Sequence, residues 1–310
     1  MTQQLFDKHW DIIKDKFFRD VKLLGSHNTM TYFTNPNSDI YSDSNIVKKM
    51  SMLPSSVRNV ICKDFAKCQN LTLKQQFDIG VRSLDLRVCK NDNGVFYINH
   101  TFLSYPFSVV LDEIQLFLFN NKREIIEIQI KWMDTTPDAD YSAEICKILS
   151  EHSVSEFIKQ RSAGDYQITP INELITLNKR LFVYLDGKNH GSRRDLDILP
   201  LFTYCNRYCN TNIPETKIDF IKKELDSFDP FSRYLYNLSW VLTPQTKDII
   251  KHLSCCFGDN SLTTINEKLH PLSVSYLKEL FGENYKHIHI VSMDFIAENN
   301  NFAEELIKND

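Results

Sequence analysis

Ionisable and amide side chains stand at the ends of apolar runs throughout this sequence. LLGSHNT (23–29) leaves an apolar stretch through Gly-Ser into His27 and Asn28. VRSLDLRV (81–88) carries Asp85 and Arg87 two residues apart, and VFYIN (95–99) is followed by His100. EIIEIQIK (124–131) ends in Lys131, RLFVYL (180–185) runs into Asp186, and HIHIVSM (287–293) runs into Asp294. Two imidazoles, a guanidinium and several carboxylates suit the cleavage of a phosphodiester by an internal hydroxyl. That reaction needs a base, an acid and positive charge at the phosphate. Imidazole serves both proton transfers because its pKa lies near neutrality. Arg offers the phosphate a permanently charged planar fork. A carboxylate behind each histidine would hold its tautomer and stabilise its cation. Taken singly these signals are weak: an Asp–Arg pair is more often a structural salt bridge, and a lone His at a strand end is more often a polar loop residue. The joint setting raises His27 and His100. His287 and His289 alternate within HIHI and are expected to face outward or touch a helix.

These groups meet only if the runs that carry them are strands ending on one face. VKLLG (21–25), VRSLDLRV, VFYIN, EIIEIQIKW, RLFVYLD, LYNLSWVLT (235–243) and HIHIVSMDF (287–295) read as strands, with helical patterns between most of them. Thr72 and Gln75 have capping-box spacing before LKQQFDI, and Gly80 is placed to end that helix. Pro106 opens FSVVLDEIQLFLF and Pro170 opens INELITL, while 215–227, 246–256 and 261–281 also read as helices. Strands alternating with helices argue for a parallel sheet, α/β in class, and a TIM-type barrel gathers its strand ends on the face where active sites are built. Side chains alternate across a strand, so Asp85 and Arg87 share one face while Leu84, Leu86 and Val88 share the other. The charged pair is expected in the barrel mouth and the aliphatic set under the helices.

Composition bounds the rest. The chain has 310 residues, 42% hydrophobic and 25% charged, with a net charge of -4 that gives no sign of a nucleic-acid partner. No repeat or flexible linker divides it, so a single domain over 1–310 is expected. Leu5, Trp10, Ile13 and Phe17 recur at helix spacing, which predicts an N-terminal amphipathic helix at about 3–18. Charges interrupt that segment as they would not in a signal peptide, and no run is long enough to span a bilayer. A soluble, cytoplasmic protein is expected. Cys205 and Cys209 could meet Cys255 and Cys256 around zinc, but the spacing matches no standard knuckle, and reduced core thiols are the favoured reading.

At these residues the chain resembles the catalytic X domain of phosphatidylinositol-specific phospholipase C, most of all its single-domain bacterial and eukaryotic X-domain-only forms. The similar stretches are LLGSHNT, QFDIGVRSLDLRV (76–88), YINH (97–100), VVLDEIQLFLFNNKREIIEIQIK (109–131), LYNLSWVLTP (235–244) and HIHIVSMDFI (287–296). The resemblance implies a TIM-type barrel, distorted or incomplete. It implies His27 as the general base on the inositol 2-hydroxyl and His100 as the general acid on the diacylglycerol oxygen. Arg87 would bind the phosphate, Asp85 is the acidic residue two positions before it, and Asp294 would support His27. Lys131 matches a lysine of bacterial members, and with Asn28 it is expected at the substrate. Calcium-dependent relatives place acidic ligands where this chain has Arg87 and Lys131. Calcium wants several oxygen ligands, so no metal or other cofactor is expected. Asn28 stands where bacterial members usually have Asp, and Thr101 where Gly is common.

The implied reaction yields diacylglycerol and inositol 1,2-cyclic phosphate. The implied partner is phosphatidylinositol in a membrane touched only transiently, by a protein expected to be a monomer. Met50, Met52 and Leu53 could meet lipid, with inward packing an equal reading. Arg193 and Arg194 could meet anionic headgroups, with a solvated loop the commoner explanation. Two other functional readings stay open. One is a metal-dependent phosphodiesterase of glycerophosphodiesterase or sphingomyelinase type, and the other a non-catalytic inositol-lipid-binding module.

Overall fold

The computed structural model describes residues 4–41, 49–133, 141–158, 168–186, 198–200, 204–229, 234–254, 260–282, 287–296 and 301–308. Arg193, Arg194, Cys255 and Cys256 lie outside them. Ten strands form one sheet: β1 (Leu23–Ser26), β2 (Ile40–Tyr41), β3 (Val81–Lys90), β4 (Phe96–Pro106), β5 (Ile126–Trp132), β6 (Leu181–Leu185), β7 (Ile198–Pro200), β8 (Tyr204–Cys205), β9 (Leu235–Trp240) and β10 (Ile288–Met293). Eight of them are parallel, in the order β7-β6-β5-β3-β1-β10-β9-β8, and among the described residues β7 and β8 do not pair. The result is the distorted, unclosed barrel that the resemblance implies. β2, β7 and β8 carry no pattern long enough to show in the sequence.

One expected βα unit is instead a hairpin. β4 runs antiparallel to β3, with Val88 opposite Ile98 and Lys90 opposite Phe96. The turn between them holds Gly94 at φ +77°. His100 therefore does not end a parallel strand: it lies within β4, which folds back over the barrel mouth and pairs beyond it with β2.

Helices cover the outside where their caps allow. Thr72 Oγ1 accepts from Gln75 N and Gln75 Oε1 accepts from Thr72 N, which closes the capping box of helix Leu73–Asp78, and Gly80 at φ +94° follows it. Pro106 and Pro170 are the N-caps of Phe107–Asn120 and Ile171–Thr176. The long helix expected over 261–281 is two, Leu262–Glu267 and His270–Gly282. The expected helix over 3–18 is also broken, into Leu5–Lys8 and Trp10–Ile13, because His9 leaves helical geometry at φ -108°, ψ 22°. A 3-10 turn, Phe18–Asp20, follows. Phe17 is 41% exposed and Phe18 takes the buried place instead, with its ring 4.5 Å from Phe182 and 5.2 Å from His289. Phe18 thus closes the floor of the barrel.

Leu84, Leu86 and Val88 share one apolar cluster with the helix residues Phe77, Leu111, Ile114 and Leu118, as the strand parity requires. A buried ion pair fastens the N-terminal helices to this wall. Arg82 Nε donates to Glu124 Oε2 at 2.6 Å, and Glu124 Oε1 accepts from the backbone of Phe6 and Asp7 at 2.8 and 3.1 Å. Arg82 shares the outward parity of Leu84, Leu86 and Val88, and it is the extra residue of a bulge: β1 and β3 pair Leu24 with Val81 but Gly25 with Ser83.

Candidate active site

Strand parity, re-phased by a bulge in β10, decides which side chains enter the barrel. After Arg82, the side chains of Ser83, Asp85 and Arg87 follow one another on the inner face of β3. The β3–β5 register sets Ser83 beside Glu127, Asp85 beside Gln129 and Arg87 beside Lys131. A second bulge lies in β10, where Ile288 pairs with Tyr236 but Ile290 with Asn237. It re-phases the strand, so that His289 faces the interior near the floor while Ser292 and Asp294 face it higher up. His289 is thus fully buried, 3.3 Å from Glu127, rather than outward-facing. His287 stacks on Phe228 at 4.6 Å, just past the end of helix Pro214–Ser227, which fits the expected helix contact. Gly25 is required where β1 meets β10: a Cβ there would stand 2.7 Å from Ile290 Cγ2 and 2.9 Å from Ser292 Oγ.

Above this floor, the chain turns after β1 and places His27 in the mouth. His27 N donates to Met293 O at 3.0 Å, and Gln69 Nε2 donates to both His27 O and Met293 O at 2.8 and 2.9 Å. Asn28 and Met30 adopt φ +45° and +70° in the turn that follows. Asp294 Oδ1 accepts from His27 Nδ1 at 2.7 Å. A carboxylate only accepts, so the ring hydrogen sits on Nδ1 and the Nε2 lone pair faces the cavity. Arg87 Nη2 donates to that lone pair at 3.0 Å.

Asp85 organises the cations. Lys131 Nζ lies 3.1 Å from its Oδ1, and Arg87 Nε and His27 Nε2 lie 3.6 and 3.8 Å from its Oδ2. Burial opposes its ionisation, but Lys131, Arg87 and His27 together overcome this and hold the carboxyl well below the usual carboxylate range. Asp294 is only 2% exposed, and there burial wins and pushes the carboxyl up, with His27 partly offsetting it.

His100 approaches from the β4 hairpin, without the carboxylate expected behind it. Its Nδ1 donates to Ala66 O at 2.8 Å and lies 3.4 Å from Cys68 Sγ. The carbonyl fixes the tautomer as the carboxylate does for His27, but adds no full negative charge. Burial and then Arg87 lower the His100 pKa to about 4. Thr101 follows it at φ +69°, left-handed backbone that Gly adopts more readily.

Two cavities meet at these groups. One, about 410 Å³, is polar and is lined by Asp85, Lys131, Gln129, Asp186, Asn237 and Ser239, with Tyr204 at its base. The other, about 460 Å³, has apolar walls from Ile61, Phe65, Leu242, Ile249 and Leu262 beside His100 and Asp294. His27, Arg87 and Tyr208 line both. The structure thus gathers all seven sequence-predicted residues, with Asn28 2% exposed and its amide 3.3 Å from both His27 Nδ1 and Cys68 Sγ. It adds Gln129, Asn237, Ser239 and Ser292, whose alternation in IEIQIK, LYNLSW and HIHIVSM was the available signal. Gln69, Cys68 and Tyr208 come from loops without periodicity and had none. Of the residues considered for lipid contact, Met52 and Leu53 are 84% and 37% exposed, which excludes inward packing for Met52. Cys205 and Cys209 are free thiols.

Comparison with known proteins agrees with this fold. The PI-PLC X 1 family model matches residues 49–232, which include Asp85, Arg87, His100 and Lys131 but neither His27 nor Asp294. A PI-PLC X domain-containing protein of Dictyostelium discoideum is 35% identical over 113 residues, covering 36% of this chain and 18% of that one. The variant-surface-glycoprotein phospholipase C of Trypanosoma cruzi is 29% identical over 128 residues, 39% of this chain and 34% of that one. The chain therefore matches only a minor part of the length of these relatives. The phosphatidylinositol-specific phospholipase C of Listeria monocytogenes shares the fold, with a TM-score of 0.66 at 18% identity over 96% of this chain and 95% of that one. With more than half of its length matched by the family model and its fold shared from end to end, the chain belongs to the PI-PLC X family.

Proposed function

We propose that this protein cleaves phosphatidylinositol to diacylglycerol and inositol 1,2-cyclic phosphate without a metal. The observation that carries the reading is the junction of a polar and an apolar cavity at His27 and Arg87. A lipid phosphodiester has one polar and one apolar substituent, and its phosphorus would sit at that junction. Arg87 and Lys131 bind the phosphate oxygens. As Arg87 turns to the phosphate it releases His27 Nε2, which takes the proton of the inositol 2-hydroxyl. That oxygen bonds to phosphorus while the bond to the diacylglycerol oxygen breaks, and His100 gives the leaving oxygen its proton. Burial is the largest cause of the lowered His100 pKa and Arg87 the next, so an anionic phosphate that neutralises Arg87 makes His100 easier to protonate. The substrate thereby helps to arm its own general acid.

Calcium has a poor donor set here. Asp85 already lies against Lys131 and Arg87, and Asn28 is turned toward Cys68. The two cations supply the positive charge that a metal would bring. No helix among the described residues is long and apolar enough to cross a membrane. Exposed Met52 and Leu53, near the apolar cavity's Ile61 in sequence, would touch the bilayer transiently. The test is phosphorus NMR of phosphatidylinositol vesicles incubated with the protein in EGTA. The expected result is a cyclic phosphodiester signal. Product formed only after calcium is added would refute the metal-free mechanism, and no product in either condition would refute the activity.

A further inference from the structure

The edge of His27 that faces away from Arg87 carries donors beyond the needs of proton transfer. A ring nitrogen of His27, a carboxylate oxygen of Asp294 and Cys68 Sγ all lie within 4.8 Å of one another, and it is Nδ1 that meets Asp294 at 2.7 Å. Cys68 is fully buried and Asp294 nearly so, yet the cluster borders the apolar cavity, which provides a way in. Imidazole, thiolate and carboxylate form a donor set for zinc-class ions, and hard oxygen-seeking calcium is not suited to it. The Asn28 side chain supplies an independent observation. It is 2% exposed and aimed into the cluster, with its amide nitrogen 3.3 Å from both His27 Nδ1 and Cys68 Sγ, while its Oδ1 has no hydrogen-bond partner. A half-turn of that amide would offer the orphaned oxygen to the same point.

We propose that Cys68, His27 and Asp294 form a site for a zinc-class divalent ion, and that occupancy of this site shuts off His27. Thiolate and carboxylate together balance the charge of the ion. Coordination takes Cys68 as the thiolate, so one proton leaves to solvent. Bonding through Nδ1 moves the imidazole hydrogen to Nε2, which then has no lone pair to accept the proton of a substrate hydroxyl. The ion also takes Asp294 from its hydrogen bond to His27. The shut-off rests on the proposed catalytic role of His27, whereas the binding does not. The site is separate from the Asp85 carboxylate, which lies on the Nε2 side of the ring.

The test is titration of the full chain with Co2+, read by the thiolate-to-cobalt absorption band. One equivalent bound with that band, displaced by Zn2+, is expected. Cys68→Ser should lose the band or bind at least about tenfold more weakly. A quadruple variant, Cys205→Ser, Cys209→Ser, Cys255→Ser and Cys256→Ser, should keep the band. No band in the unaltered protein, or loss of the band in the quadruple variant, would overturn the site even if Cys68→Ser failed to fold. In vesicle assays Zn2+ should lower turnover at least about tenfold, restored by a chelator. Metal bound at Cys68 with turnover intact would overturn the shut-off. A protein that never cleaves phosphatidylinositol would fail the proposed function, while the cobalt titration would still decide the site.

Discussion

Replacing Asp294 by Asn removes one negative charge beside His27 and leaves an oxygen that can still accept from Nδ1. In the reaction proposed, His27 passes from neutral to cationic, and Asp294 stabilises only the second state. The carboxylate oxygen lies 2.7 Å from Nδ1 and the residue is 2% exposed, so solvent screens the pair little. Taking the charge centres about 4 Å apart in a medium of effective dielectric about 20, the attraction is about 4 kcal/mol. Asp85 remains near Nε2, but Lys131 and Arg87 largely neutralise it, so it replaces little of the lost charge. A loss of about 3–4 kcal/mol in the transition state is a fall in kcat of about 10²–10³. Asp294 lines the cavity behind His27 and is given no contact with the phosphate, so KM should hold. The assay is initial-rate release of cyclic phosphate from phosphatidylinositol vesicles in EGTA, with a thermal melt to show that the variant folds. A folded Asp294→Asn protein with kcat lowered less than about fivefold would refute the reasoning, because the pair would then be structural and the charge idle.

Three further outcomes are expected. His100 has a folded pKa of about 4 against 6.5 ordinarily, so the fold favours neutral His100: its contribution is full above about pH 6.5 and is lost as pH falls toward 4. Allowing for its partial exposure, the stability difference between wild type and His100→Gln should shrink by about 2 kcal/mol from pH 7 to pH 4.5 in urea unfolding, and a constant difference would contradict this. Glu124→Ala strands the buried Arg82 guanidinium and two backbone N–H groups, and should destabilise by about 3–5 kcal/mol in the same assay. Thr101→Gly relieves left-handed backbone at about 1–2 kcal/mol against about 0.5–1 kcal/mol of added chain freedom, a net gain of about 0.5–1 kcal/mol that a lower Tm would disprove.

What the sequence by itself determined was local. Alternation along VRSLDLRV assigned Asp85 and Arg87 to the face opposite Leu84 and Leu86, and the capping box at Thr72 was readable because its atoms lie three residues apart. Strand ends with ionisable groups pointed to one catalytic face because the backbone's period of two is built into any strand. What only the tertiary structure decided rests on non-local register. The extra residues Arg82 and His289 shift the register of β3 and β10 against their neighbours, and a bulge leaves no mark in hydrophobic periodicity. The β3–β4 hairpin brings His100 back across the mouth, and its partner is a loop carbonyl, not a carboxylate. The N-terminal helix breaks at His9, and Phe18 rather than Phe17 fills the space beneath the barrel, a choice that helix periodicity alone does not make. Cys68 meets Asn28 and Gln69 meets His27 from a loop 40 and 42 residues away, where position depends on packing and backbone hydrogen bonds that no single stretch of sequence contains.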